Sequence, residues 1–242
     1  MLSKNQLKRI KSLHLKKFRM ENRRFIVEGQ KSVQEAIKSG LDIELLVKQD
    51  GYESSEFEIE TFTTSILEMK TLSTLSTAPG ILAVVKFPEW YMNEVSALTM
   101  QDESVVLVLD GIRDPGNLGT IIRTADWFGL KGIICSPDTV DCFNPKVVQA
   151  SMGSVFHLPT YYTDLNTFIR KASHTVYGLD LQGENLFSTE ISDGIYVLGS
   201  ESHGLSEGIQ PLIQKFLHIP GKGKAESLNA AISAAIVMSQ IQ

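Results

Sequence analysis

The seven residues "SVVLVLD", Ser104 to Asp110, constrain this chain more than any other stretch. Valines and leucines without polar alternation cannot offer one face to water, so the run reads as a strand buried on both sides, as in parallel sheets covered by helices. Parallel strands need long crossovers, and the following sequence supplies them: a helix from about Asn117 and helical stretches near 144–150, 164–172 and from Glu226 to the end. Further strand candidates are "GIIC", "VFHL", "HTVYGLDL", "GIYVLGS" and "FLHIP". The expectation is an open parallel sheet that binds ligands beyond the carboxyl ends of its strands. That arrangement gathers the loops after Asp110, Gly199 and Pro220 on one edge.

Upstream, "RRFIVEG" reads as a strand, "QKSVQEAIKSG" as a helix closed by Gly40, and "IELLVKQ" and "FEIETF" as strands. A polar helix from about Thr63 and the apolar run "GILAVVKF" complete a small α/β layer. The segment "PEWYMNEVSALTMQDES" has no clear period and reads as a linker. The α/β chain is thus expected to divide into residues 1–90, a linker over 91–103, and a second domain over 104–242.

Charge separates the same two regions. Nine of the 23 lysines and arginines fall within residues 1–24, beside a single acid, Glu21, although the whole chain carries −5. One end can attract phosphate while the body stays acidic. Lys8, Arg9, Lys16, Lys17, Arg23 and Arg24 are candidates for contact with a polyanion, on what reads as one amphipathic basic helix leading into the first strand. The longest apolar stretch, "LNAAISAAIVMSQI", is too short to cross a bilayer. The basic start has no apolar core or cleavage site of a secretory signal, so a cytoplasmic protein is expected. Cys135 and Cys142 have neither zinc-ligand spacing nor a disulfide framework around them, and no metal is expected.

The loops carry the chemistry. In "DGIRDPGNLGTIIRTADWFG" Asn117 reads as an N-cap, with Arg123 less than two turns into the helix, a combination that favours an anionic ligand. In "VLGSESHGLS" Gly199 ends a strand where a missing Cβ lets a ligand lie on the backbone, Glu201 follows, and His203 reads as a hydrogen-bonding loop residue sooner than as a catalytic base. In "HIPGKGKAESLNAAISAAIVMSQI" Ser227 and Asn229 introduce a helix whose Ala230, Ala231, Ala234 and Ala235 admit a close neighbour. That helix is apolar nearly all round and belongs in a core or a subunit interface. Gly221-x-Gly223 lacks the third glycine of a dinucleotide fingerprint, Gly204 is followed by leucine where a P-loop has lysine, and no G-x-S-x-G is present.

Together, in order and spacing, the three loops resemble the motifs of the SpoU/TrmH family of RNA 2′-O-ribose methyltransferases, within the SPOUT class. The matching residues are Asn117, Gly119 and Arg123; Gly199, Glu201 and Gly204; and Ile219, Pro220, Ser227, Leu228 and Asn229. "RRFIVEGQKSVQEAI" and "TAPGILAVV" are similar to the family's substrate-binding domain, a ribosomal-protein-like RNA-binding fold. The resemblance implies a trefoil knot in the second domain and a pocket for S-adenosylmethionine formed around Leu198, Gly199, Ile219, Pro220 and Leu228. It also implies a reacting group of Asn117, Arg123, Glu201, Ser227 and Asn229, a homodimer that completes the pocket, and RNA as substrate, ribosomal sooner than transfer RNA. The alternative is a knotted RNA-binding or ribosome-assembly protein without catalysis.

Overall fold

The computed structural model describes residues 1–53, 58–92, 104–191, 193–200 and 203–241. Glu201 and all but the first two positions of the expected linker lie outside the described residues.

The basic segment is two helices where the sequence reading has one. Helix α1 (Lys4–Ser12) opens on a capping box in which Ser3 and Gln6 satisfy each other's backbone N–H groups. Helix α2 (Lys16–Asn22) ends at Arg23, whose left-handed backbone (φ 52°) turns the chain into the first strand. Strand β1 (Arg24–Glu28), α3 (Gln30–Lys38), β2 (Ile43–Gln49), β3 (Thr61–Thr64), α4 (Ile66–Leu72) and β4 (Ile81–Lys86) follow. They form a four-stranded sheet in the order β1-β4-β2-β3, in which β2 and β3 are parallel and the other pairs antiparallel. The polar helix starts behind a second capping box, Ser65 with Glu68, so Thr63, expected to begin it, belongs to β3.

The second sheet is wholly parallel. Strands β5 (Val105–Asp110), β6 (Ile133–Cys135), β7 (Thr160–Tyr162), β8 (Val176–Asn185), β9 (Gly194–Gly199) and β10 (Lys215–His218) lie in the order β10-β8-β9-β5-β6-β7. Connecting helices are α5 (Glu89–Met92), before β5, then α6 (Pro115–Trp127), α7 (Pro145–Ser151), α8 (Leu165–Arg170) and α9 (Ala230–Met238). "VFHL" is not a strand: Gly153, at φ 104°, starts a 3-10 turn over Ser154–Phe156 that closes on local hydrogen bonds, and the strand follows at Thr160. Its apolar side chains are buried all the same, which is the feature that mimics a strand in sequence. The last helix begins at Ala230, four residues after the expected Glu226.

The order of strands reverses between β5 and β9, where Asp110 pairs with Gly199. This switch point is where an open parallel sheet leaves a crevice at its carboxyl edge.

The two sheets share one continuous core. Phe25 of β1 stacks on Phe143 (4.3 Å between ring centres), and Phe87, Trp90 and Tyr91 close around Phe143. Tyr91, the first residue of the expected linker, is therefore part of this packing. Beside the rings, the buried Arg19 of α2 gives Asp141 two bonds (2.9 and 2.5 Å) and spends Nη1 on the carbonyls of Leu13 and His14 (2.8 Å each). The other carboxylate oxygen of Asp141 accepts from the Phe143 N–H (3.0 Å). A charge so buried is tolerated only when paired and hydrogen-bonded, and Arg19 is paired with Asp141 and gives four of its five N–H groups to acceptors.

Candidate functional site at the carboxyl edge of the parallel sheet

A cavity of about 260 Å³ opens at the switch point. Leu179, Leu198, Leu217, Ile219 and Leu228 give it apolar walls, while Gly199, Ser200, Ser227 and Ser233 contribute backbone and hydroxyl groups. Four of the five residues expected to form a pocket, Leu198, Gly199, Ile219 and Leu228, thus line one cavity. Pro220 is half-buried beside it and does not.

At Gly204 the chain returns to the end of its own strand. Ser200 and Gly204 exchange backbone hydrogen bonds (3.0 and 2.9 Å), and the Asp110 carboxylate accepts from the Ser206 N–H at 2.7 Å. A Cβ on Gly199 would lie 2.1 Å from the Gly204 carbonyl carbon. The returning loop by itself requires a glycine here, and the same residue also lines the cavity. Asp110, the buried acid that anchors this loop, is missed in the sequence reading; a carboxylate ending an apolar strand is the signal that marks it. His203 is exposed, and its N–H donates to the Ser200 hydroxyl (3.3 Å).

Helix α6 begins one turn earlier than expected, so Asn117 is not its cap. Asp114 caps it, accepting from the Asn117 N–H at 2.8 Å, with Pro115 in the first helical position, where its missing N–H costs nothing. The Asn117 side chain instead accepts at 2.9 Å from Nδ2 of Asn229. Asn229 is itself the cap of α9 through Oδ1, which accepts from Ala231 and Ile232. One asparagine thus joins the first and third loops at the helix starts. Gly119 lets α6 approach α7: a Cβ there would lie 2.5 Å from Ala150 Cβ and 2.7 Å from the Val147 carbonyl oxygen. On the other side α9 packs on α6 through buried Ala230, Ala231 and Ala234.

Arg123 is exposed, and among the described residues it has no ion-pair partner. It sits roughly two-thirds of a turn around α6 from Asn117 and does not line the cavity of its own chain. Ser227 is exposed on the cavity rim. Nearby, Arg113 reaches Asp138 at 3.4 Å; the Ser136 hydroxyl (2.7 Å) is the main cause that holds the Asp138 carboxyl below the usual range, burial opposes it, and Arg113 adds to the lowering.

The basic candidates divide. Lys8, Lys16, Lys17 and Arg23 are exposed, Lys17 facing Glu21 at 3.8 Å. Arg9 and Arg24 instead share the Glu44 carboxylate, Arg9 at 3.2 Å, and Arg24 is half-buried. Burial pushes both cysteine thiols up, Cys135 and Cys142 alike, which removes them as nucleophiles. Among the described residues no cluster of His, Cys, Asp and Glu could hold a metal ion, and no helix is long and apolar enough to cross a membrane.

Residues 104–239 match the SpoU rRNA Methylase family, and residues 4–83 match the MRM3-like substrate binding domain. The chain is 33% identical to the 23S rRNA (guanosine(2553)-2′-O)-methyltransferase RlmP of Bacillus subtilis, over 99% of this chain and 97% of that protein. Its fold superposes on the SpoU methyltransferase AviRb of Streptomyces viridochromogenes in complex with AdoMet, with a TM-score of 0.85, 25% identity and coverage of 98% and 97%. An AdoMet-bound rRNA methyltransferase of Sinorhizobium meliloti matches with a TM-score of 0.82 and 28% identity, over 99% and 95% of the two chains. A parallel sheet with its cavity at the switch point, a preceding substrate-binding domain and similarity along the whole length lead to one assignment: this chain belongs to the SpoU rRNA methylase family.

Proposed function

We propose that this chain transfers a methyl group to the ribose 2′-hydroxyl of an RNA nucleotide, with ribosomal RNA as the substrate class. The observation that carries this reading is the cavity at the sheet switch point, abutting the helix starts that Asn117 and Asn229 tie together. Its donor set suits S-adenosylmethionine: apolar Leu198, Ile219 and Leu228 for a planar ring, and the hydroxyls of Ser200, Ser227 and Ser233 with Asp180 for polar groups. When bound, that molecule supplies a sulfonium methyl.

The chain's own residues then have to hold a ribose hydroxyl and manage its proton. A guanidinium is always protonated and has no acceptor, so Arg123 grips the adjacent phosphate and the 2′-oxygen and stabilises developing negative charge. Phosphate or water takes the proton. Asn117 and Asn229 position these groups, and Ser227 supports the nucleotide from the cavity rim. Glu201, which is outside the described residues, is assigned to orienting the loop.

Arg123 is exposed and does not line its own chain's cavity, which supports a homodimer in which one protomer's Arg123 serves its partner's cavity. Exposed Trp127 and Ile232, on the two helices that pack together, supply apolar surface for that contact. We further assign a trefoil knot to the segment leading into α9, residues 1–90 to RNA selection with 104–242 as the methyltransferase domain, and a cytoplasmic location. The exposed Lys8, Lys16, Lys17 and Arg23 would meet phosphates.

The test is transfer of labelled methyl from S-adenosylmethionine to RNA, followed by digestion to nucleosides. Label in a 2′-O-methylnucleoside is the expected result, and label on a base would overturn the chemistry.

A further inference from the structure

A second cavity, of about 190 Å³, lies in the N-terminal domain between α1 and the four-stranded sheet. Its apolar lining, Ile10, Leu13, Leu45 and Val84, belongs to the core beneath the sheet. Its polar lining is Gln6, Arg9, Arg24, Glu44 and Glu60. Two arginines against two glutamates leave the site without net charge, which favours neither a phosphate nor a metal ion. An apolar floor with charged, hydrogen-bonding walls suits a neutral planar group with several polar edge atoms.

The polar groups are not equally committed. Glu44 is held on both oxygens, Oε1 by Arg9 and Oε2 by Arg24, and Arg24 spends Nη1 on the carbonyls of Asn22 and Arg23 (3.0 and 3.1 Å). Arg9 is about half exposed and makes one ion pair, so most of its five donors remain available. Glu60 is exposed, and its carboxylate has no partner among the described residues. The unmet needs are therefore a carboxylate that accepts two N–H bonds and a guanidinium that donates.

We propose that this cavity is a guanine-binding site for one unpaired nucleotide of the RNA substrate, an inference that rests on the reading of the chain as an RNA-modifying enzyme. Guanine offers adjacent N1–H and N2–H donors to Glu60 and O6 to Arg9, while the ring covers the apolar floor. Adenine has one donor group on that edge, and uracil one donor between two acceptors, so neither satisfies Glu60. Unpaired bases splayed into pockets are the usual means of sequence-specific RNA recognition, and the exposed Lys8, Lys16 and Lys17 of α1 and α2 would hold the backbone. Arg9 and Arg24 thereby change role, from phosphate contacts to walls of a base pocket.

The test titrates GMP, AMP, CMP and UMP into the isotope-labelled full chain while following backbone amides by NMR, with S-adenosylhomocysteine present to fill the first cavity. Saturable GMP-specific shifts at Leu45, Glu60 and Val84 are expected, with about tenfold weaker binding in Glu60→Gln. The exposed position of Glu60 keeps that variant folded, and its S-adenosylhomocysteine binding verifies this. No shifts at these amides, equal shifts from all four nucleotides, or an unchanged GMP affinity in E60Q would overturn the proposal. Methyl transfer to RNA by the unaltered chain is measured separately, so failure of the enzymatic reading is distinguishable from failure of the pocket.

Discussion

The seam between the two domains and the carboxyl edge of the parallel sheet are built on opposite plans. At the seam, Arg19 and Asp141 are 1% and 2% exposed and hydrogen-bonded to each other and to backbone, and Phe25, Phe87 and Phe143 stack in the same core. At the edge, Arg123, Ser227 and Asn229 are exposed, and short loops meet through a few bonds between asparagines and backbone. A packed, satisfied seam fixes where one domain sits on the other. An open edge leaves Arg123 and Ser227 accessible to a ligand. Stability and chemistry are therefore assigned to different residues, and substitutions should separate them.

The largest effect should come from the seam. Asp141→Ala leaves Arg19 buried and unpaired and should destabilise the fold by about 3–5 kcal/mol, measured by urea unfolding. Replacing both partners with apolar residues should recover most of the loss. Arg123→Lys should do the reverse, lowering methyl transfer roughly 10²–10³-fold with the unfolding midpoint unchanged. Equal activity in that variant would remove the two-pronged grip assigned to the guanidinium. Asn229→Ala blurs the boundary, since it removes both the α9 cap and the bond to Asn117. About 1 kcal/mol of stability should go, with a larger fractional fall in activity.

The smallest effect concerns pH. The Asp138 carboxyl is held below its ordinary value of 3.8, first by the Ser136 hydroxyl and then by Arg113, so its stabilisation is complete above that pH. It is lost as pH falls through the lower folded value. Because Asp138 is half exposed, screening keeps the contribution small. Asp138→Asn should flatten the acid limb of the stability curve slightly and leave the neutral region alone.

The edge was more legible in sequence than the seam, for a physical reason. Strand runs, helix starts and the loops after Asp110, Gly199 and Pro220 are local patterns, and five of the six strands of the parallel sheet were found from them. The sixth, Thr160–Tyr162, is three residues long, and the preceding "VFHL" imitates a strand because its apolar side chains are buried from a 3-10 turn. Asp114 displaced Asn117 as cap because both residue types cap well and only the backbone decides between them. The partners Arg19–Asp141 and Arg9–Glu44–Arg24 are far apart in the chain, and nothing in composition distinguishes a buried arginine from a phosphate-binding one. At Gly199 the sequence points to a close approach but does not reveal that Gly204 of the returning loop makes one.

The most direct measurement is a nucleoside inventory of ribosomal RNA from cells lacking this chain, complemented by the unaltered protein or by Arg123→Ala. The account predicts one 2′-O-methylnucleoside depleted in the deletion, restored by the unaltered protein and not by the variant. Ribosomal RNA with unchanged 2′-O-methylation in the deletion, or full restoration by Arg123→Ala, would contradict it.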